Sequence, residues 1–487
     1  MASNSVKDTS YYIHSIICIV LMVGIGFIPA FGGITELGMK VLGVFLGLLY
    51  GWIFVGFIWP SLFGMLVLGV SGYDTVLGVF QAGFGDATVL KIFFILLFAS
   101  VLQATNLTTY IGNWCVSRKI CRGNGGRPWV LTMLIFTASF LIGGFINQFG
   151  GIIIMWAIFY GIAKTAGFKK GDGYVSFMIV GIALICVMGS MSLPFVPVAI
   201  IYRAMLQTDI LSNYEIPMGP LTVYHIVLFA LVFFGYFALG KYILRLDVSP
   251  LKNLTEEFYE KAARQKMNKE QKYAMISLVA FVIFLLLPIV LPDCGLKAFL
   301  SNMDIIGISV IVICFFCFRR NGKTPIYNFG QLVHEGVNWD LIILFAATMP
   351  VSTAMESDQT GIVTAVVNAL MPIFSKISPS LYVLFCLVVF ILVTQVAHNL
   401  ILAIVFTPVL ATIGIDMGIN PYMFQILFAF GLQLAFMTPG ASANAAMVFG
   451  NTEWIDNKDA YKYTTLAIAT CTLLLIVVGI PVGMALF

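Results

Sequence analysis

This sequence predicts an all-α polytopic membrane protein with about eleven transmembrane helices and two re-entrant hairpins in two inverted repeats. Three observations predict it: an apolar excess that no soluble core can hide, recurring apolar runs of membrane-crossing length, and one order of parts repeated in both halves.

The apolar excess is read from composition. Of 487 residues, 60% are hydrophobic and 10% charged, against about 25% charged in soluble domains. Single soluble cores stop growing near about 250–300 residues, so lipid is the solvent that accommodates the remainder. The net charge of +4 is small for this length and gives no basis for a nucleic-acid partner. Nine cysteines are scattered mostly through apolar runs. Cys314 and Cys317 have CxxC spacing, but no second pair or histidine cluster completes a zinc site, and no disulfide framework is implied. The run at 11–30 is too long for the apolar core of a signal peptide and reads as a retained first span.

Spans are expected at 11–31, 39–55, 57–72, 88–106, 174–205, 220–244, 273–291, 303–318, 338–356, 421–449 and 461–486, each near the length needed to cross about 30 Å of hydrocarbon. Two further apolar segments, 129–165 and 379–412, are interrupted at their centres and read as hairpins. With a cytoplasmic N-terminus and both hairpins returning to the side they entered, the loops at 107–127, 164–173, 241–272, 319–324 and 451–463 face inside. Together with Lys7 they hold 21 of the 26 Lys and Arg, as the positive-inside rule requires. Taking either hairpin as a single crossing would split the basic loops between the two sides. The polar stretch from Lys241 to Lys272 is a solvated connector between the halves, with a lipid-binding basic patch as its alternative.

Each half contains spans, an interrupted hairpin, a long span with a polar or proline-rich break, and a final span. The hairpin centres are 141–151 and 393–400; the breaks are 189–197 and 436–444. An odd number of crossings separates the halves, so the repeats are inverted. Paired interrupted helices in inverted repeats point to a midplane binding site in secondary transporters, because unwound backbone at membrane depth is tolerated where protein or a water-filled cavity satisfies it. Half-helix N-termini present free N–H groups to an anion. Substrate contacts are assigned to Asn147, Gln148, Ser192, His398, Asn399, Thr438 and Ser442; an amide can donate to a carboxylate. Oxygen donors for sodium are assigned to Asn147, Ser190, Asn399, Ser442 and Asn444. The competing reading of each is a buried polar group bonded to a neighbouring helix. His398 is an ionisable group inside a membrane hairpin; it either binds anion, couples protons, or stays neutral against backbone. Arg203 either attracts an anion from outside or snorkels as an interfacial anchor.

The run from Phe436 to Gly450, FMTPGASANAAMVFG, resembles the second broken-helix motif of the divalent anion/sodium symporter family, usually close to FMLPVATPPNAIVFG, within the ion transporter superfamily. The similarity in layout extends over nearly the whole chain. It implies an elevator carrier, usually a homodimer. Residues 1–128 and 273–378 would be scaffold, 129–245 and 379–487 the two halves of a moving transport domain, and 246–272 a cytoplasmic connector. Substrates of the family are di- and tricarboxylates or sulfate, usually coupled to sodium and sometimes exchanged. The family's hairpin tips carry Ser-Asn-Thr; here the triplets are Ile146-Asn147-Gln148 and His398-Asn399-Leu400, and the asparagines alone are kept.

The reading is therefore a non-enzymatic secondary carrier of a small organic anion in a plasma or bacterial inner membrane, with membrane lipid as its surroundings, no cofactor, and sodium as coupling ion. Its alternatives are a proton-coupled carrier or exchanger of a monocarboxylate or other anion, a channel, and an intramembrane aspartyl protease. The last rests on Gly83-Phe84-Gly85-Asp86, a GxGD match, with Asp74 as second carboxylate. Such a dyad needs both carboxylates within a few ångströms, whereas these two share one short loop.

Overall fold

A computed structural model describes residues 9–117, 127–204, 217–254, 266–321, 323–362, 364–365, 368, 372, 376–395, 399–439 and 441–487. Their regular structure is helical apart from a two-residue strand pair, Arg320–Asn321 with Thr324–Pro325. The first half runs α1 (Thr9–Gly24), α2 (Glu36–Phe54), α3 (Ile58–Val70), α4 (Val76–Phe84), α5 (Ala87–Ala104), α6 (Leu107–Val116), α7 (Pro128–Phe145), α8 (Gln148–Ala166), α9 (Gly173–Gly189), α10 (Pro197–Ala204) and α11 (Met218–Ala238). The second runs α12 (Lys269–Val290), α13 (Gly295–Phe318), α14 (Phe329–Gly336), α15 (Trp339–Glu356), α16 (Pro379–Val393), α17 (Asn399–Asp416), α18 (Pro421–Leu432), α19 (Ala443–Gly450), α20 (Asn457–Leu474) and α21 (Ile480–Leu486). Each half closes on a π turn, Leu239–Ile243 after α11 and Leu475–Gly479 after α20.

Lipid offers no partner for the free N–H groups that open a helix. Several starts therefore carry a side-chain acceptor: Thr35 for α2, Thr75 for α4, Asn147 for α8, Asn328 for α14, Asn338 for α15, Ser378 for α16 and Ser442 for α19. Asn268 and Gln271 form a full capping box ahead of α12.

Among the described residues, eight helices are long and apolar enough to cross a membrane, or ten if the bent pairs α4–α5 (42°) and α14–α15 (76°) are each one span. The sequence reading counts eleven. Two of the eight, α7 and α8, are the arms that it reads as one hairpin, each long enough to cross, and three of its spans, at 57–72, 174–205 and 421–449, appear as shorter apolar helices, the last two because each is broken in the middle. The helices α4, α6 and α14 occupy stretches read as loops; at eight to ten residues each they are too short for periodicity to stand out. The expected span at 303–318 begins earlier, at Gly295, and is broken at Asp304, whose φ of 49° and ψ of −170° leave the helical region.

Packing between elements is nearly unchanged when the halves are exchanged. The fragment before each break lies against the fragment after the other: α9 packs on α19, and α10 on α18. Likewise α11 packs on α18 as α20 packs on α9, and α13 and α14 pack on α5 as α3 and α4 pack on α15. The hairpin arms α7 and α8 pack on α9 as α16 and α17 pack on α18. The α5–α10 contact has no counterpart of similar extent between α15 and α19 among the described residues. The hairpin and broken span of the first half meet closely: a Cβ on Gly143 would come 2.5 Å from Cys186 Cα, so glycine is what lets α7 lie on α9.

Candidate functional site

Four interruptions of the backbone lie among these packed elements. They fall at 146–147 between α7 and α8, 190–196 between α9 and α10, 394–398 between α16 and α17, and 433–442 between α18 and α19. Of the third, 394 and 395 are described. His398 therefore lies outside the described residues, as does Gly440.

At the first hairpin tip Asn147 takes an extended conformation (φ −161°, ψ 124°), and its Oδ1 accepts from Gly150 N at 3.0 Å, capping α8. Among the described residues its amide nitrogen has no hydrogen-bond partner, and it can donate elsewhere. Gln148 opens α8, and its Oε1 stands 3.2 Å from the hydroxyl of Ser190, the residue that ends α9. Ser190 also lies 2.6 Å from the Val187 carbonyl.

The second half repeats this link with different residues. Asn399 opens α17, and its Nδ2 donates to Oε1 of Gln433, the residue that ends α18, at 2.8 Å. Ser190 and Gln433, each ending the helix before its break, correspond under exchange of the halves. Each hairpin tip is thus joined by a side-chain hydrogen bond to the residue that ends the helix before its own break. Among the described residues no hydrogen bond joins Asn147 to Asn399 directly.

Below Gln433 the unwound stretch is braced by Gln395. Its Nε2 donates to the carbonyls of Ile391 (2.6 Å) and Leu434 (3.0 Å), while its Oε1 accepts from the backbone of Phe436 (3.2 Å) and Met437 (2.9 Å). Thr438 donates its hydroxyl to the Gln395 carbonyl at 2.5 Å. Ser442 donates to Ala435 O at 2.7 Å and accepts from Ala445 N at 3.1 Å, capping α19. The hydroxyl protons of Thr438 and Ser442 are thus given to backbone, leaving oxygen lone pairs for a ligand.

Ser192 and Asn444 are different. Both are buried, and neither Ser192 Oγ nor Asn444 Oδ1 has a hydrogen-bond partner. Buried oxygens without partners are uncommon and need an explanation, and α9 and α19 bring these two breaks side by side. Among the described residues no group of three or more His, Cys, Asp and Glu could hold a metal. A cation in these breaks would accordingly be met by hydroxyl, amide and carbonyl oxygens, the donor set of a hard monovalent ion.

Three residues at the site are absent from the sequence reading: Gln395, Gln433 and His225. His225 lies buried in α11, with Nδ1 2.6 Å from the Met191 carbonyl in the first break. A histidine in an otherwise apolar span carries the signal that singled out His398, and applying it to 220–244 finds His225. Gln395 lies inside the hairpin centre at 393–400, three residues before His398.

Asp74 and Asp86 do not form a dyad. Asp74 accepts from Thr75 N and Asp86 from Val89 N. The nine residues of α4, about 13 Å of helix, separate them. Each holds a helix start at opposite ends of that helix.

Comparison with known proteins agrees with the helical membrane fold and with the expected family. The family model for the citrate transporter matches residues 48–429. An uncharacterized transporter of Escherichia coli, YfbS, is 27% identical over 149 residues, 30% of this chain and 24% of its own. The human Na(+)/dicarboxylate cotransporter 3 is 24% identical over 211 residues, 40% of this chain and 34% of its own. The matched stretches thus span about a quarter to a third of these relatives. Two solved transporters share the fold at 13% identity and a TM-score of 0.55: Alcanivorax borkumensis YdaH, with 84% of this chain and 86% of that one covered, and Neisseria gonorrhoeae MtrF, with 85% and 84%. The chain is an integral membrane protein, and with well over half its length matched by that family's model it belongs to the citrate transporter family.

Proposed function

We propose that the protein is a secondary carrier of a di- or tricarboxylate, coupled to sodium, working by an elevator motion with alternating access. The observation that carries this is the pair of equivalent links, Gln148–Ser190 and Asn399–Gln433, each joining a hairpin tip to the lip of a broken helix. Two such tips present the N-termini of α8 and α17, where free N–H groups and the positive dipole end favour a carboxylate. The donors of Asn147, with His398 and the Ser192 hydroxyl, complete the anion contact, while the Thr438 and Ser442 oxygens, their protons given to backbone, accept from a substrate hydroxyl or face the cation. Sodium would take the unpartnered oxygens of Ser192 and Asn444, with Ser190, Ser442 and the backbone carbonyls of the breaks.

The symmetric packing supports inverted repeats with the site on their pseudo-two-fold axis. In this reading 129–245 and 379–487 move together against a scaffold of 1–128 and 273–378, in a homodimer with cytoplasmic N-termini. The named relative transports dicarboxylate with sodium, and the family carries a citrate transporter description; both favour this substrate class.

The test is uptake of labelled citrate and succinate by purified protein in liposomes, with and without an inward sodium gradient. Accumulation above equilibrium that follows the sodium gradient is the expected result. Equilibration without accumulation would instead identify a passive pore, and a proton gradient that drives uptake without sodium would move the coupling to His398 or His225.

A further inference from the structure

Arg203 closes α10, the helix that begins at the first break. Helical side chains tend to lean toward the N-terminus of their own helix, which lets the Arg203 side chain turn toward residues 190–196 from its place beside Met218 at the start of α11. Its guanidinium is half-buried, and its hydrogen-bond contact is the Met218 thioether at 4.0 Å from Nη1. A thioether is a weak acceptor for a group with five donors that cannot shed its proton. A cation kept at membrane depth is costly unless an anion meets it.

The carboxylate within electrostatic reach of Arg203 is that of Asp304, with the Tyr422 hydroxyl beside it. Both Asp304 oxygens are already engaged: Oδ2 pairs with Lys91 Nζ at 2.7 Å, and Oδ1 accepts from Ile305 N at 2.6 Å. His225 completes the surroundings. Facing a carbonyl, its Nδ1 carries the proton and donates to Met191 O, and the ring lies within the field of Arg203. Among the described residues this cluster holds two cations, Lys91 and Arg203, and one carboxylate, that of Asp304.

We propose that Arg203 is a second anion subsite that receives one carboxylate of a substrate carrying at least two, while the hairpin tips receive another. The inference rests on the carboxylate-carrier reading above and deepens it. α10 is about 12 Å long, a span that an extended arginine and a short dicarboxylate bridge together. The subsite also supplies what the tips lack: Ile146, Gln148 and Leu400 stand where hydroxyls would be expected, so charge recognition shifts from the tips to the end of α10.

The experiment uses the full chain in liposomes, with labelled succinate as substrate and butyrate, the same carbon chain with one carboxylate fewer, as competitor. Arg203→Gln is expected to raise KM for succinate about tenfold or more, the worth of a charged hydrogen-bonded pair, with kcat within about twofold. The ratio of butyrate to succinate concentrations that halve uptake should fall toward one. Arg203→Lys, which keeps charge but loses the fork, should fall between the two and shows that the site still folds. Equal loss of kcat in both variants, or an unchanged ratio, overturns the subsite. So does recovery by the swap Arg203→Asp with Asp304→Arg, which would make Arg203 a partner of Asp304 in another conformer. Wild-type vesicles that take up neither citrate nor succinate overturn the carrier reading and this subsite with it; wild-type uptake with an indifferent Arg203→Gln overturns the subsite alone.

Discussion

Replacing Gln395 by leucine tests the architecture of the second break directly. Gln395 is 5% exposed, and its side-chain amide satisfies four backbone groups: the carbonyls of Ile391 and Leu434, and the N–H groups of Phe436 and Met437. Leucine fills a similar volume and meets none of them. The two carbonyls sit deep and would be left bare, at about 1–1.5 kcal/mol each from the lower part of the range for a buried orphan. The two N–H groups lie nearer the half-exposed Met437 and Thr438 and can find water. For them the average of about 0.6 kcal/mol measured for hydrogen bonds inside membrane proteins is the better figure. The substitution should therefore cost about 3–4 kcal/mol, a fall in melting temperature on the order of 5 °C in detergent. Uptake should be lost as well, because the same bonds fix Gln433 against Asn399. Gln395→Glu, protonated in this buried place, keeps the acceptor and one of the two donated bonds, so its melting temperature should fall less. A leucine variant that melts with the wild type and transports normally would refute the claim that this one amide holds the unwound stretch.

Asn147→Ala removes the cap of α8, worth about 1 kcal/mol, yet should abolish uptake in liposomes, since the cap and the free amide donors belong to one side chain; uptake retained at half the wild-type rate would count against the site. For the Lys91–Asp304 pair, at 2.7 Å with the side chains 24% and 38% exposed, Asp304→Asn should melt lower than Lys91→Met, because it leaves both Lys91 and Arg203 without their carboxylate, whereas Arg203 still faces Asp304 when Lys91 is gone. Tyr160 stacks on Trp454 at 4.9 Å and accepts from Asn451 Nδ2 at 2.6 Å, joining α8 to the segment before α20. Tyr160→Phe should cost about 1 kcal/mol by thermal unfolding and Trp454→Ala about 3 kcal/mol or more, and the reverse order would refute the view that stacking dominates this contact.

The layout was legible because it follows from length and polarity. The hairpin at 129–165 declares itself by Gly143-Gly144 and Asn147 in an apolar run, and the break at 189–197 by Ser190, Ser192 and two prolines. The short helices α4, α6 and α14 were not legible: each is set by a cap or a bend more than by a periodic face. Within the site, residue type alone marked Gln148, Ser190 and Asn399. It could not mark Gln395 and Gln433, since their role depends on which backbone groups the unwound stretch leaves bare. Nor could it separate Ser192, whose oxygen lacks a partner, from Thr438, whose hydroxyl proton is spent on Gln395 O.

Since α9 is walled by α19 and α18 by α10, neither half encloses the site alone. Two polypeptides cut in the connector, ending at Leu254 and beginning at Lys266, would each display an open trough lined by an unwound strand. Brought together in one membrane they would have to zip along those troughs to become whole. Each half thus supplies a wall to the break of the other, so separately made halves are expected to complete their packing only in each other's company.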